Sequence, residues 1–465
     1  MSQATILFFT NSELGQASVI LAVAEEIALS KRSSVHVGSF PSLAKAVPDG
    51  VKFHGLPGPS MKQVFASSGE EFLPKHRPGL IGTASGFAKA YSRVLAPWNG
   101  QDYISIFDAC CQLIKDLDPA LVVLDPIFSP GYDAAISLNR RHLVLSPNTF
   151  KDHATGSQPG VNSLYQLPCL GSGYSTPMSP LTVLFNVYLL LALHVNGHWS
   201  TRVKKLEEAR RQRGIPGRLG SIALFDEPPP DLIFLVQSVP ESDFPLEIPS
   251  SLLGCGPILP SFLPLVKTHP ELATWLNTGP TIVINMGSHV THATQQTAEI
   301  MAAVIACMQK NEKLQVLWKL QSDNVPNLPA DLHSRLRIMS WLPSTPAAIL
   351  TASTSICAYV YHGGSNSFHE AVAAGVPHVV CPVWLDTYDF ATRVEHLGIG
   401  LWASRGCAPD VDSIGLRRAL DKVISGVGAE QMRKKARSLA KIVGGVDPGR
   451  RFAANRILDA AASEP

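Results

Sequence analysis

A histidine, two glycines and three small polar residues follow one another at the end of an apolar run. Ser355 to Tyr361 is apolar and β-branched enough for a buried strand, and His362-Gly363-Gly364-Ser365-Asn366-Ser367 comes directly after it. Ser367 to Ala374 suits a helix, which Gly375 stops and Pro377 keeps from resuming. His378 to Cys381 reads as the next strand. A strand, a glycine turn and a helix start together make an anion site. The first N–H groups of a helix have no partner within it, and the helix dipole adds partial positive charge there. The glycines let a phosphate approach the backbone closely. Ser365, Asn366 and Ser367 offer side-chain donors and N-cap candidates. His362 stands at the strand end, with its ring available to the same anion. Glu370 lies one helical turn past Asn366 on the same face, placed to accept hydrogen bonds from the two hydroxyls of a ribose.

The elements that must hold this stretch alternate between strand and helix. Ala4 to Thr10 reads as a strand, Asn11 to Gly15 as a polar loop, Gln16 to Ser30 as a helix and Val35 to Ser39 as a strand. The βαβ pattern returns at Ala120 to Leu124, with Asp125-Pro126 and a helix near Tyr132 to Leu138 behind it. Gly55 to Asn99 and Gln158 to Pro180 are irregular and rich in Gly, Pro and Ser. A prolyl stretch from Pro260 to Pro280 reads as a linker with a short helix. A second set of strands comes next: Thr281 to Asn285, then Met286-Gly287-Ser288; Leu314 to Lys319; and Arg337 to Ser340, which leads into Trp341. Two doubly wound α/β domains are expected, with ligands at the carboxyl ends of the strands.

The chain has 465 residues, long enough for two ordinary domains, and is 45% hydrophobic and 16% charged. A formal charge of +2 gives no reason to expect nucleic acid as a partner. The eight cysteines are scattered without a C-x-x-C pair, which predicts reduced, mostly buried thiols in a cytoplasmic protein. The start, MSQATILFFTNSE, lacks the basic region and cleavage site of a signal peptide. Leu181 to Val195 is long for a soluble helix and short for a span, with Asn186 and His194 interrupting it. It is expected to be a buried or cavity-lining helix, with weak peripheral membrane contact as the alternative.

The stretch from Trp341 to Asp389 resembles the motif of family 1 UDP-glycosyltransferases. Plant members show W-x-P-Q, then H-C-G-W-N-S-x-x-E, G-V-P and P-x-x-x-D-Q. This chain has Trp341, Pro343, His362, Gly364, Asn366, Ser367, Glu370, Gly375, Val376, Pro377, Pro382 and Asp386 at the same spacing. Ser344, Ser365 and Thr387 replace the first glutamine, the tryptophan and the last glutamine. The ending LDTYDFATRVEHLGIG looks most like filamentous-fungal members. The resemblance implies a GT-B fold: an acceptor domain at 1–256, a linker at 257–280, a UDP-sugar domain at 281–445, and a final helix within 446–465 that returns to the first domain. It implies a UDP-sugar donor, UDP-glucose by preference, a small lipophilic acceptor such as a phenol, polyketide or terpenoid, no further cofactor and no metal; a sterol or lipid acceptor, a UDP-sugar epimerase, and a UDP-sugar-binding auxiliary without its own base are the alternatives. Gly287-Ser288 would lie near the diphosphate. Trp341, with Leu342 beside it, would carry the uracil. His362 and Gly364 to Ser367 would hold the diphosphate, Glu370 the ribose, and Asp386 with Thr387 the sugar. Asp389 reads as a second sugar contact or as a helix cap. A monomer is expected.

The base has more than one candidate. Relatives carry a histidine in a Gly-His pair of the first loop, oriented by an aspartate beyond the fourth strand. Here the pair is Gly15-Gln16, and glutamine has no useful basicity. The aspartate position matches Asp125. Three readings stand: Glu13, three residues before Gln16, is the base; Asp125 acts directly; or the acceptor is a phenol, which asks less of a base.

Overall fold

The computed structural model describes residues 3–463 apart from 70, 72, 227, 288–289, 291–293 and 322–331. Among the described residues thirteen strands form two sheets, and every pairing in both is parallel. The first sheet contains β1 (Ala4–Phe9), β2 (Ser33–Ser39), β3 (Val51–Gly55), β4 (Leu121–Leu124), β5 (His142–Ser146), β6 (Phe234–Val236) and β7 (Leu252–Gly254), in the order β3-β2-β1-β4-β5-β6-β7. The second contains β8 (Thr281–Asn285), β9 (Gln315–Lys319), β10 (Leu336–Met339), β11 (Ile356–Tyr361), β12 (His378–Val380) and β13 (Gly400–Trp402), in the order β10-β9-β8-β11-β12-β13. Strand order therefore reverses between β1 and β4 in one sheet and between β8 and β11 in the other. Such a reversal opens a crevice at the strands' carboxyl ends.

Six helices frame or brace that crevice: α1 (Leu14–Ser30), α2 (Met61–Ser67), α3 (Pro180–His198), α4 (Ser365–Ala374), α5 (Leu385–Leu397) and α6 (Pro448–Ala462). The strands read as near-continuous apolar runs because helices cover both faces; β4 and β11 are buried at every residue. Gly375 and Gly398 take left-handed backbone at φ 68° and 65° and end α4 and α5.

α6 belongs by sequence to the end of the second domain and by packing to the first. Ala453, Ala454, Ile457 and Leu458 share one core with Ile20, Val23, Ala24 and Ile27 of α1. Arg450 adds an ion pair to Glu26 at 2.8 Å.

Three sequence-based expectations change here. α1 begins at Leu14, not Gln16, so Glu13 is its N-cap residue and Gln16 lies in its first turn. The expected linker 257–280 is shorter as structure, because Leu265, Leu272, Trp275 and Leu276 pack into the core of the second domain. The apolar run is helical as α3 and lines the cleft through Leu190, Leu193 and His194, but it is not buried: only Asn186, Leu189 and Gly197 are buried along it.

Candidate active site

The two switch points face one cleft of about 1180 Å³. On the second domain, the β11–α4 turn is built as the sequence suggests, and α4 starts at Ser365 itself. Gly363 has φ 89°, and a Cβ there would stand 2.6 Å from the carbonyl oxygen of Thr387. The His362 ring lies between Gly287, at φ 82°, and Gly364; a Cβ on either glycine would come within 2.7 Å of it. Glycine at both positions thus lets the imidazole sit at the mouth of both loops. Ser288 lies outside the described residues.

The side chains of the first turn of α4 do not all point toward a ligand, as their types suggest they should. Ser365 donates its hydroxyl to the carbonyl of Pro147 at 2.8 Å, across the domain boundary. Asn366 donates its amide to the Ser18 hydroxyl of α1 at 2.9 Å. Ser367 accepts from the Tyr359 hydroxyl at 3.3 Å, beneath the helix. What α4 offers an anion is its backbone N–H groups. Its three polar side chains brace the turn against the other domain and the sheet.

Trp341 lines the cleft and is 58% exposed. Lys319, at the end of β9, holds Nζ 3.8 Å from the centre of its ring and donates to the Gly287 carbonyl at 3.2 Å. Burial lowers the pKa of this amine, and among the described residues no carboxylate pairs with it. This half-buried cation lines the cleft beside Gly287, Trp341 and His362, a place where an anion would meet it, and sequence reasoning misses it. The signal was a lysine closing an otherwise buried strand.

Glu370 and Asp386 line the same cleft. Burial raises the Glu370 carboxyl to about 8; burial, then the nearby Asp152 and Asp389, raises Asp386 to about 7. Two of the expected donor residues do not reach the cleft. Leu342 puts its side chain into the core with Ile349 and Leu350. Thr387 is fully buried: its hydroxyl donates to the Trp384 carbonyl and accepts from the N–H groups of Val383 and Trp384, so it shapes the turn rather than touching a sugar. Asp389 is neither a helix cap nor a free contact. It sits a turn inside α5, ion-paired with Lys151 of the first domain and accepting the Gly171 N–H at 3.1 Å.

More buried polar contacts hold the halves together. Arg393 of α5 pairs with Asp243 at 2.9 Å and donates to Thr149 at 2.8 Å. His76 accepts the Leu385 N–H at Nε2, 2.8 Å away, while Nδ1 meets the Arg77 carbonyl at 2.8 Å. That pairing puts the ring proton on Nδ1, and burial lowers the ring's pKa, which keeps it neutral. The Trp384–Thr387 turn that carries Asp386 is thus gripped from the first domain.

The first domain faces this with a less satisfied set. Glu13 accepts the Lys62 N–H, at the start of α2, at 2.9 Å through Oε1. Its Oε2 is buried with no hydrogen-bond partner among the described residues, as are Gln16 Oε1 and both polar atoms of the Asn11 amide. All three residues line the cleft. Burial raises the Glu13 carboxyl, and the Lys62 N–H pulls part of that back. Asn11 carries no signal in the sequence beyond being one polar residue of a loop.

Asp125 is corrected as a direct base. It is fully buried and does not line the cleft. Its oxygens accept from Thr10 at 2.9 Å, the Asn11 N–H at 3.3 Å and the Ile127 N–H at 3.0 Å. It is raised to about 6, chiefly by burial, and its work is to pin the β1–α1 loop.

Beyond that loop the cleft is apolar, walled by Tyr91, Leu95, Leu190, Leu193, Ile222 and Phe225. At its far end His194, His198 and Asp226 bring ligand atoms within 4.8 Å of one another. Arg218 reaches His198 at 2.7 Å and Asp226 at 3.1 Å, so a guanidinium already supplies the positive charge there.

Residues 271–441 match the family of UDP-glucoronosyl and UDP-glucosyl transferases. A glycosyltransferase of Sordaria araneosa, sdnJ, is 32% identical over 446 residues, covering 88% of this chain and 86% of that one. A UDP-glycosyltransferase of Talaromyces amestolkiae is 28% identical over 38% of this chain and 36% of its own. Among solved structures, a UDP-glucosyltransferase from Polygonum tinctorium superposes with a TM-score of 0.65 at 17% identity, covering 100% of this chain and 99% of that one. UGT2 of Phytolacca americana gives 0.65 at 16% identity, covering 99% of each chain. With a relative this similar over most of both lengths, and with this fold, the chain belongs to the UDP-glycosyltransferase family and is an enzyme of GT-B architecture.

Proposed function

We propose that the protein moves glucose from UDP-glucose to a hydroxyl of a small lipophilic acceptor, a phenol, polyketide or terpenoid alcohol, with inversion at the anomeric carbon. One observation carries this: a single cleft is lined by the helix mouth at α4, by an apolar wall, and by Asn11, Glu13 and Gln16 beside the α1 turn that Asn366 of α4 touches. Trp341 stacks on the base, Glu370 takes the ribose hydroxyls, and Asp386 takes sugar hydroxyls. The N–H groups of α4, with Lys319 and His362, receive the charge that develops on the departing diphosphate. This reading asks for no bound metal and no further cofactor.

Glu13 is the base in this reading. One carboxylate oxygen is anchored on the Lys62 N–H and the other takes the acceptor proton. The acceptor oxygen bonds to the anomeric carbon as the bond to UDP breaks, and the bonding pair leaves with UDP. Burial raises the carboxyl toward working pH, which suits proton transfer. The names of two structural neighbours support the substrate class: one is described as glucosylating indoxyl, the other as holding UDP-2fluoro-glucose and pterostilbene. A cytoplasmic monomer serving secondary metabolism or detoxification fits eight free cysteines and an apolar acceptor wall.

Incubation of the purified protein with UDP-glucose and a panel of phenols and terpenoid alcohols tests the reading, with products identified by mass spectrometry. A glucoside is the expected result. UDP binding without any glycoside, for any acceptor and donor sugar, would instead make the protein a UDP-sugar-binding auxiliary.

A further inference from the structure

α3 has two faces with different neighbours. Leu190, Leu193 and Gly197 turn inward to the acceptor end of the cleft. Leu181, Leu184, Tyr188, Leu191, Val195 and, directly after the helix, Trp199 are all exposed. At helical spacing these six fall within about 80° of the circumference. Ile81, on the adjoining helix Gly79–Gly86, is 85% exposed and enlarges the patch. The helix has 19 residues and a mean hydropathy of 1.4 over its most apolar window, of which only 17% is buried. Its polar interior anchor is Asn186, which accepts the Cys169 N–H at 2.6 Å and donates to the Leu167 carbonyl at 3.0 Å. That anchor keeps α3 on the protein, so it lies along a surface and does not cross a bilayer.

The charge around the patch is one-sided. The chain has 37 carboxylates in 465 residues, yet segments 73–101 and 153–206, which include α3 and flank it, contain none. Lys75, Arg77, Lys89, Lys204 and Lys205 in these segments are exposed. The outer face of α3 itself carries no carboxylate: Asp226 meets the helix at His198, on the cleft side, and Glu207 is the next carboxylate along the chain. An apolar stripe in a stretch of chain whose exposed charges are cations is the pattern of an interfacial helix on an anionic bilayer. We infer that α3 docks the enzyme on anionic phospholipid membranes, lying in the interface with its outer face in the lipid. Its inner face then forms the wall between the bilayer and the acceptor cleft, so that a lipid-dissolved acceptor has one helix to pass. The inference holds whichever acceptor the cleft takes.

Vesicle flotation of the full chain tests it, without donor or acceptor present. Vesicles of phosphatidylcholine with a third phosphatidylserine are compared with phosphatidylcholine alone. The wild type is expected to float with the mixed vesicles and to be weakened by salt. The triple variant L184Q/L191Q/W199Q is expected to bind about tenfold less, with its melting temperature and its turnover of a water-soluble phenol unchanged. Lys89→Glu with Lys204→Glu is expected to weaken binding to the mixed vesicles alone. No flotation of the wild type, or equal flotation of the triple variant, would overturn the inference. So would a wild-type dimer that the triple variant turns into a monomer, since a second copy of the chain would then cover the stripe.

Discussion

The two sides of the cleft are built on opposite plans. On the donor side most polar side chains are already bonded to protein: Ser365 to Pro147, Asn366 to Ser18, and the Thr387 hydroxyl to its own turn. The site is held in shape before any ligand arrives, and what is left for UDP is backbone N–H, the Trp341 and His362 rings, the Lys319 amine and two carboxyls. On the acceptor side Asn11, Glu13 and Gln16 keep polar atoms buried without partners among the described residues. An unpaired buried polar atom costs about 1–3 kcal/mol, a cost that an acceptor hydroxyl would relieve on binding. In the proposed reaction, preorganisation serves the UDP-sugar, and unmet hydrogen bonding would serve a lipophilic acceptor with few polar groups of its own.

The contrast can be broken hardest at the domain junction. Lys151→Met leaves Asp389 buried and uncompensated; a loss of about 3–5 kcal/mol in unfolding free energy is expected, measured by denaturant melts. A loss below about 1 kcal/mol would mean the pair does not set the closed geometry. Next comes the proposed base. Glu13→Gln should cut turnover at least about tenfold, worth about 1.4 kcal/mol on the barrier, with the UDP dissociation constant unchanged by calorimetry. In the wild type, turnover should rise with pH through a carboxyl titrating above its ordinary range, because burial raises Glu13 and only its ionised form accepts the proton. Full turnover in the variant would remove Glu13 from the mechanism.

Lys319→Met should reverse that signature. UDP affinity should fall about tenfold, as expected for a charge-assisted contact of about 1.5–3 kcal/mol, and the salt dependence of UDP binding should flatten. The smallest effect is in the ligand-free protein. Glu370 titrates near 8 when folded and near its ordinary value of 4.5 when unfolded, so the unfolded chain binds fewer protons between those values. Stability contributed at this site is therefore present at low pH and lost as pH rises toward 8. Glu370→Gln should melt higher than the wild type at pH 8 and show a smaller gain at pH 5.

The same contrast explains what is legible in the sequence. Trp341 to Asp386 is one stretch of chain, so its residue types and spacing are visible together, and the strand, turn and helix follow from local rules. The direction of each side chain does not. Ser365 and Asn366 are donors in any reading, but their partners, Pro147 and Ser18, lie in the other domain. Thr387 occupies a ligand position in the motif, yet its hydroxyl is consumed by three groups of its own turn. The acceptor side is gathered from the β1–α1 loop, the region around Tyr91, α3 and residues near Ile222. No spacing in the sequence ties these together, and the exposure of α3 depends on which neighbours fold against it. Asp125 looks catalytic by position; only its burial shows that its oxygens are spent on the loop.

The return of α6 to α1 has a mechanical result. Backbone passes between the halves twice, once ahead of Leu265 and once just before Pro448. Two tethers define a line, and rotation about that line is the motion that stretches neither. A swing about that line strains the chain least, and the buried pairs Lys151–Asp389 and Arg393–Asp243 are what oppose it. The path of the chain thus singles out one hinge for the two domains, whose facing surfaces put Asp386 and Glu13 on one cleft.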